Sequence, residues 1–434
     1  MTRARQDGSL LTQAIIIALF FLWGVANNLN DVLIPHLKKA FFLSDLQSGL
    51  VQSAFYLGYF FLALPASIVM RRYGYKTAVL VGLSLFGLGA LMFYPAAAVL
   101  EYPLFLAALF VIASGLAFLE TSANPLITVL GDPATSERRL NFAQAFNPLG
   151  SITAVVLGGQ FILSGVEPTQ AQFDAMSAAQ LAAFQAQEAR STQVPYLVIA
   201  AVVFAWALLV AFTRFPAAAT RPQKEDVANA PSASTAIAAL LRRPHFLFGV
   251  MAQFFYVGAQ VGVWSYMIRY AQHEVGMGEK TAATYLTWSL VGFMVGRFVG
   301  TAAMVKVSPN KLMAAFAAIN TALTLFAAFA GGESGLLALA ATSFFMSIMF
   351  PTIFATAIKG LGPLTKTASS FLVMAIIGGA VFTALMGAVS DLSAINYAIL
   401  IPSACFAVVA AYGLSAARAA LSTDTNSAPK APLA

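Results

Sequence analysis

The chain alternates long apolar runs with short polar segments, and this pattern predicts membrane-spanning helices. A helix needs about 20 predominantly apolar residues to cross the hydrocarbon core of a bilayer. Runs of that length predict twelve spans, six on each side of a polar segment. The predicted spans are 12–37, 47–70, 77–98, 103–130, 140–164, 194–213, 245–271, 281–304, 312–331, 335–358, 367–390 and 394–416. The predicted fold class is therefore an all-α membrane protein with twelve transmembrane helices in two six-helix halves.

The polar segment between the halves is rich in Ala, Pro, Ser and charged residues, which is typical of a surface linker. We therefore predict an N-terminal six-helix half at 1–213, a cytoplasmic linker at 214–244, and a C-terminal six-helix half with a short cytoplasmic tail at 245–434. A second polar stretch, at about 165–193, is rich in Gln and Ala and is a candidate for a short surface helix.

Composition agrees with a polytopic membrane protein. Of 434 residues, 59% are hydrophobic and only 9% are charged, so the chain has far more apolar surface than one soluble core can bury. The single cysteine, Cys405, excludes an internal disulfide or a thiolate metal cluster. The first apolar run follows Arg3 and Arg5 without a small-residue cleavage site. We interpret it as a retained span and not as a signal peptide.

The basic residues predict the orientation of these helices. Most of the 24 lysines and arginines fall in loops on one side of the predicted spans, among them Arg71, Arg72, Arg138, Arg139 and Lys359. Short loops that are rich in Lys and Arg are retained in the cytoplasm, so both termini are predicted to be cytoplasmic. The formal net charge of +7 then reflects topology and contact with lipid. Binding to nucleic acid is not indicated.

Two acidic residues lie within otherwise apolar spans. Asp31 lies in FFLWGVANNLNDVLIPHL (20–37), and Glu120 lies in GLAFLETSANPLITVLG (115–131). A charge at membrane depth costs roughly 2.5–3.5 kcal/mol on insertion scales. Such residues commonly mark substrate pathways and proton relays, so both acids are candidate functional residues.

Amide and aromatic side chains recur at helical spacing close to these acids. Residues three or four apart share one face of a helix, which predicts a polar stripe on each of spans one, four, five and seven. The stripes are Asn27, Asn28 and Asp31; Glu120 and Asn124; Gln144 and Asn147; and Gln253, Tyr256, Gln260 and Trp264. Amides donate and accept hydrogen bonds to vicinal hydroxyls, and aromatic rings stack on the C–H face of a pyranose. The stripes therefore favour a sugar site, while the alternative is that single amides only join neighbouring helices.

Other patterns indicate packing. Gly292, Gly296 and Gly300 recur at a spacing that permits close helix approach, and Arg297 beside them is expected to extend towards the cytoplasmic face or to pair with loop groups.

The three histidines are widely separated, so no metal site is predicted. Nucleotide-binding, hydrolase and metalloprotease motifs are absent from the sequence, so neither an enzyme nor a nucleotide-driven pump is predicted.

Twelve spans in two sixes match the architecture of major-facilitator transporters, whose central site lies between the halves. The loop RRYGYK (71–76) resembles a signature loop of that superfamily without its usual aspartate. The closer resemblance is to the bacterial L-fucose:proton symporter family of major-facilitator permeases. It rests on NNLND, LETSANPLITVLG, NFAQAFNPLG, AQFFYVGAQVGVWSYMIRYA, SIMFPTIFATAIKG and a GG-containing eleventh span, in order through both halves.

That resemblance implies proton coupling through Asp31 and Glu120 and sugar contacts from Asn28, Gln144 and Asn147. It also implies a bacterial inner-membrane protein that acts as a monomer and uses the proton as its coupling ion, with no other cofactor. One departure concerns substrate choice, because Met349 and Phe350 stand where the fucose permease pattern has an aromatic hydroxyl. Phe350 therefore joins the candidate site as a position that has lost a polar contact.

The function expected from these residues is proton-driven uptake of L-fucose by alternating access. Glucose/galactose or N-acetylglucosamine remain alternative substrates, because the ANP and QAFN segments also occur in those branches of the family. Two other classes of protein have less support from these residues. A non-transporting sugar sensor would carry an added signalling segment, and a drug/proton antiporter would favour a more apolar cavity than these amides provide.

Overall fold

The computed structural model describes residues 3–41, 43, 45–130, 132–162, 175–215 and 233–427, and some side chains within these ranges, including those of Asn28 and Asp31, lie outside the description. Throughout the described ranges the secondary structure is helical, joined by turns and short coils. The first half of the sequence forms helices α1 (Arg3–Phe41), α2 (Asp45–Tyr73), α3 (Tyr75–Val99), α4 (Tyr102–Val129), α5 (Ser136–Gln144), α6 (Asn147–Phe161), α7 (Ala178–Ser191) and α8 (Gln193–Phe212).

The second half begins with a short helix before the first long one. It forms α9 (Ala233–Leu241), α10 (Pro244–Val275), α11 (Glu279–Ala303), α12 (Pro309–Ala330), α13 (Gly332–Met346), α14 (Met349–Ile358), α15 (Thr365–Met374), α16 (Gly378–Leu392), α17 (Ile395–Ala398) and α18 (Leu400–Ser427). The surface helix that we predicted within 165–193 is confirmed as α7, most of whose residues are exposed or half-buried.

Ten helical stretches among the described residues are long and apolar enough to cross a membrane. Two of the twelve predicted spans fall below that criterion for identifiable reasons. In α1 the described side chains form an apolar run at Thr12–Asn27 only, since Asn28 and several residues after it lie outside the description. The predicted span 140–164 is interrupted by a turn at Ala145 and Phe146, so α6 has only 15 residues.

The described helices group into two compact units. The first contains residues 1–131, 143–233 and 363–374, and the second contains 132–142, 234–362 and 375–434. Each unit therefore includes one short segment from the opposite half of the sequence. Residues 216–232 of the predicted linker lie outside the description, so the domain division at 213 and 244 remains a prediction.

Packing within the first unit brings α1 against α6, and α4 against both α2 and α3. Glycines allow the α1–α6 contact. A Cβ atom at Gly24 would overlap the main-chain carbonyl of Asn147, and one at Gly150 would overlap that of Phe21. The backbone of the candidate residue Asn147 is therefore fixed directly against the helix that carries the NNLND segment.

Packing within the second unit centres on α10, which contacts α11, α13, α14, α16 and α18. Two of the three predicted glycines allow α11 to pack closely on this region: a Cβ atom at Gly296 would overlap the carbonyl of Phe344 in α13, and one at Gly300 would overlap the side chain of Ile348 in the turn after α13. A Cβ atom at Gly292 would meet nothing within 4 Å. Helix packing is thus confirmed for Gly296 and Gly300, and the expectation for Gly292 is wrong.

Gly296→Ala is expected to reduce the yield and the melting temperature of folded protein, because forcing a methyl group into a packed interface costs roughly 1–3 kcal/mol. Gly292→Ala is the matched control on the same helix and should leave both unchanged. Thermal unfolding of the purified protein in detergent, followed by intrinsic fluorescence, measures the difference. Equal destabilisation by both substitutions would contradict this account of the α11–α13 interface.

Candidate functional site

Glu120 occupies the most buried stretch of the first unit. All residues of α4 from Ile112 to Thr128 are buried, and Glu120 itself is 2% exposed. Within the described part of the chain, no cation forms a salt bridge with its carboxyl group. An ionised carboxylate is costly in such surroundings. Gain or loss of a proton by Glu120 would therefore strongly change the electrostatic free energy of this buried site.

A tyrosine that sequence analysis did not select lies beside this carboxyl group. Tyr59 on α2 is buried and interacts electrostatically with Glu120. Its hydroxyl accepts a hydrogen bond of 3.0 Å from Nε1 of Trp23 and donates one of 3.3 Å to Oδ1 of Asn27. This network connects α1 to α2 next to the acid. Tyr59 lies in an aromatic run without polar neighbours, so the spacing of polar residues gave no signal for it.

The predicted stripe on α4 is confirmed in its geometry, and Gln144 joins it from α5. Gln144 donates from Nε2 to Oδ1 of Asn124 at 2.9 Å, and both side chains are buried. Asn124 lies one helical turn after Glu120. In the described part of the chain, Nδ2 of Asn124 and the hydroxyl of Thr121 have no hydrogen-bond partner. Without a bound ligand, such buried polar atoms raise the free energy of the folded protein, because a buried donor without a partner has lost its hydrogen bonds to water.

The predicted stripe of Gln144 and Asn147 does not lie on one continuous helix. Helix α5 ends at Gln144 and α6 begins at Asn147, with a turn between them. Asn147 is half-buried, and its Nδ2 donates to the carbonyl of Phe20 on α1 at 3.2 Å. Its amide hydrogens are thus partly used in a contact between helices. The remaining two members of the first-half site, Asn28 and Asp31, have side chains outside the description, so their roles stay predictions.

In the second unit, the predicted stripe on α10 divides into anchored and unanchored side chains. Tyr256 donates to the carbonyl of Met346 at 3.0 Å, and Nε1 of Trp264 donates to Oγ of Ser343 at 3.0 Å. Both bonds fix α10 against α13. Gln253 is fully buried, and neither Nε2 nor Oε1 has a hydrogen-bond partner among the described residues. Gln260 is half-buried.

Arg297 and Phe350 are close to this stripe. Arg297 on α11 is 4% exposed, its Nε donates to the carbonyl of Ser347 at 2.7 Å, and its guanidinium lies 4.6 Å from the ring centre of Phe293. Of the two expectations for Arg297, extension to the cytoplasmic face is wrong, and pairing with a group outside the helices is confirmed, because Ser347 lies in the turn between α13 and α14. Phe350 is 9% exposed and lies among rings, with its centre 6.3 Å from those of Tyr256 and Phe354. A signal for Arg297 was available, since this arginine lies well inside the predicted span 281–304 and not at its end.

The fold and these buried polar groups define a polytopic membrane transporter. The Major Facilitator Superfamily profile matches residues 15–381. The chain belongs to this superfamily and has its all-α fold of twelve spans in two six-helix halves.

Similar proteins narrow the family. The chain is 50% identical over 400 residues to the L-fucose-proton symporter of Escherichia coli (strain K12), covering 91% of each chain. It is 38% identical over 398 residues to a glucose/galactose transporter of Brucella abortus, covering 91% of this chain and 92% of the relative. The crystal structure of FucP, a Major Facilitator Superfamily transporter in the outward conformation, matches with a TM-score of 0.87 and 47% identity, over 94% of this chain and 99% of that one. The resemblance to the fucose permease family is confirmed.

Proposed function

We propose that this protein takes up L-fucose together with protons by alternating access. The observation that carries the proposal is the buried carboxyl group of Glu120 one turn from Asn124, whose Oδ1 accepts from Gln144 and whose Nδ2 has no hydrogen-bond partner among the described residues. A proton-binding group and a sugar-binding group thus lie on the same helix face. The 50% identity to a protein named L-fucose-proton symporter supports this substrate and this ion.

Asp31 and Glu120 are the proposed proton-coupling pair, with Asp31 governing release and reprotonation. Sugar contacts are proposed from Asn28, Asn124, Gln144 and Asn147 in the first half of the sequence. The second half contributes Gln253, Tyr256, Gln260, Trp264 and Phe350. We further propose that the protein acts as a monomer in the bacterial cytoplasmic membrane with both termini inside, and that the proton is its coupling ion.

The energy available to such a mechanism is sufficient for concentrative uptake. Moving one elementary charge through 100 mV is worth roughly 2.3 kcal/mol, which corresponds to about a forty-fold concentration ratio per proton. A carboxyl group that is neutral when the sugar is bound and exchanges its proton with water on each side links this energy to sugar movement. Nucleotide hydrolysis is not required.

Glucose or galactose is the second candidate substrate. The observation that favours it is the identity to the Brucella abortus transporter together with the side chain at position 350. Phe350 has no hydroxyl, so the wall of buried rings around it offers one polar contact fewer than a tyrosine would. A sugar that directs fewer hydroxyls towards that wall would lose less binding free energy from the absence of a hydroxyl at position 350.

Competition in proteoliposomes tests the substrate directly. Unlabelled L-fucose is expected to inhibit counterflow of labelled L-fucose best, with D-galactose and D-arabinose weaker and N-acetylglucosamine weakest. Counterflow needs no proton gradient, so it separates substrate choice from coupling. If L-fucose fails to displace a sugar that the protein transports, the substrate is that sugar and the fucose assignment is wrong. If none of these sugars gives counterflow, sugar transport itself is contradicted.

A further inference from the structure

A buried histidine and a buried glutamate meet where α1 and α7 approach each other. His36 lies near the end of α1 and is 1% exposed, and Glu188 lies near the end of α7 and is 2% exposed. Nε2 of His36 is 2.9 Å from the main-chain carbonyl oxygen of Glu188 and 3.2 Å from Oγ of Ser191. Nδ1 of His36 is 3.4 Å from Oε2 of Glu188. Both nitrogens of the imidazole ring therefore face oxygen atoms of α7.

The chemistry of these oxygens determines how many protons the pair holds. A main-chain carbonyl can only accept, so Nε2 must carry a hydrogen. Nδ1 faces a carboxyl oxygen, and a favourable contact needs a proton between them, either on the imidazole or on the carboxyl group. In both cases the pair binds one proton more than a neutral histidine beside a carboxylate. Without that proton, a ring lone pair would face a buried negative charge.

Ser191 does not change this count. Its hydroxyl lies within donating distance of two carbonyl oxygens, those of Ile162 at 3.0 Å and Glu188 at 2.7 Å. The single hydroxyl hydrogen is directed to these acceptors, so the oxygen accepts from Nε2 of His36. The serine thus orients the ring with its Nε2–H towards α7 and leaves Nδ1 to Glu188.

We propose that His36 and Glu188 form a proton-binding site that fastens α7 to α1. The site is distinct from the coupling pair, and neither member belongs to the polar stripes. Glu188 and Ala189 are the buried residues among those described on α7. The contact with α1 is therefore made at one end of an otherwise more exposed helix. Loss of the proton would weaken the attachment at that end.

Among the described residues, the helices around the pair carry few other titratable groups. On α7 the neighbouring charge is Arg190, which is exposed, and α6 carries no titratable side chain. Of the helices that pack on α7, α3 carries Tyr94, which is exposed, and α8 carries Tyr196, which is buried. The α4 groups at this end are Glu101, which is exposed, and Tyr102, whose ring lies 5.8 Å from that of Phe41. Lys38, Lys39, Asp45, Glu167 and Asp174 adjoin these helices in sequence and lie outside the description, either entirely or in their side chains.

The consequence is a contact that is sensitive to the pH on the side of the membrane where α7 lies. An unperturbed histidine changes charge at a pH of roughly 6.5. In acidic solution the pair keeps its proton and α7 stays attached to α1. In alkaline solution the proton is lost and the attachment is weakened. His36 also follows Asp31 by five positions on the same helix, so attachment of α7 restrains the helix that carries one proposed coupling acid.

Hydrogen–deuterium exchange of the α7 peptide tests the site in the intact protein. Protection of this peptide, corrected for the intrinsic pH dependence of exchange, is expected to fall as pH rises from about 5.5 to about 8.5, by up to about tenfold per pH unit once the proton is lost. In His36→Gln and in Glu188→Gln the corrected protection should no longer depend on pH. His273→Gln is the matched control, because His273 is exposed on α10.

Cysteine labelling gives a second measurement that does not need the histidine variants to fold. Cys405 is 1% exposed and is the only native cysteine. Ala189→Cys places a thiol at a buried position on α7, and Ala183→Cys places one at an exposed position on the same helix. Both variants are labelled with a membrane-impermeant maleimide, and the rate for Ala189→Cys is divided by the rate for Ala183→Cys. This ratio cancels the pH dependence of the reagent and is expected to rise with pH. A ratio and a corrected protection that are both constant across this range would overturn the proposal, as would unchanged pH dependence in His36→Gln.

Discussion

Replacing Glu120 with glutamine is expected to abolish uphill sugar accumulation while exchange of sugar continues. Glutamine has the shape and the lack of charge of the protonated acid, but it cannot release a proton. Glu120 is 2% exposed and lies one turn from Asn124, so the neutral side chain should be tolerated and the amide pair should remain. The expected loss is the whole accumulation ratio, which is about forty-fold for one proton at 100 mV.

Two assays on the same proteoliposomes separate the outcomes. Accumulation is measured with an imposed proton gradient, and counterflow is measured without one. Glu101→Gln is the matched control, because Glu101 precedes the first residue of the same helix and is exposed, so both activities should persist. Accumulation by Glu120→Gln at the level of the unmodified protein would remove this acid from the coupling mechanism. Loss of counterflow as well would place Glu120 in sugar binding.

The helical framework was largely predictable because it depends on one strong energetic rule. Apolar residues must continue for about 20 positions to cross a bilayer, and such runs are visible without any tertiary information. Glu120 and Asn124 were predictable for the same reason, since a polar residue at membrane depth is costly enough to stand out. Their shared face follows from helical periodicity alone, because α4 is continuous through both residues.

The errors arose where tertiary contacts override local pattern. Gln144 and Asn147 are three apart in sequence, yet a turn separates their helices; the local signal for it is the Asn147–Pro148 pair, which helical periodicity does not take into account. Gly292 has the same spacing as Gly296, but only the latter faces a carbonyl of α13. Arg297 is retained inside because Ser347, in the turn after α13, supplies a carbonyl and α11 itself supplies an aromatic ring. The roles of the glycines and of Arg297 depend on which residues of another segment are near, and periodicity carries no such information.

Gln253→Met is expected to stabilise the protein and to weaken sugar binding. Neither polar atom of the fully buried Gln253 side chain has a partner among the described residues. Replacing an unpartnered buried polar group with an apolar one of similar size removes a cost of roughly 1–3 kcal/mol, so the melting temperature should rise. A hydrogen bond between neutral groups contributes roughly 0.5–1.5 kcal/mol, so if the amide binds sugar, affinity should fall by up to about tenfold.

Tyr256→Phe is the matched comparison on the same helix, because the hydroxyl of Tyr256 already donates to the carbonyl of Met346. Its loss should lower the melting temperature and leave sugar affinity nearly unchanged. Thermal unfolding with and without L-fucose, together with binding by isothermal titration calorimetry, measures both quantities for both variants. At a residue that binds sugar, the substitution should therefore raise the melting temperature and lower sugar affinity. At a residue that only anchors a helix, it should lower the melting temperature and leave sugar affinity unchanged. If Gln253→Met lowers the melting temperature and binds sugar normally, Gln253 supports the helix bundle and does not contact the substrate.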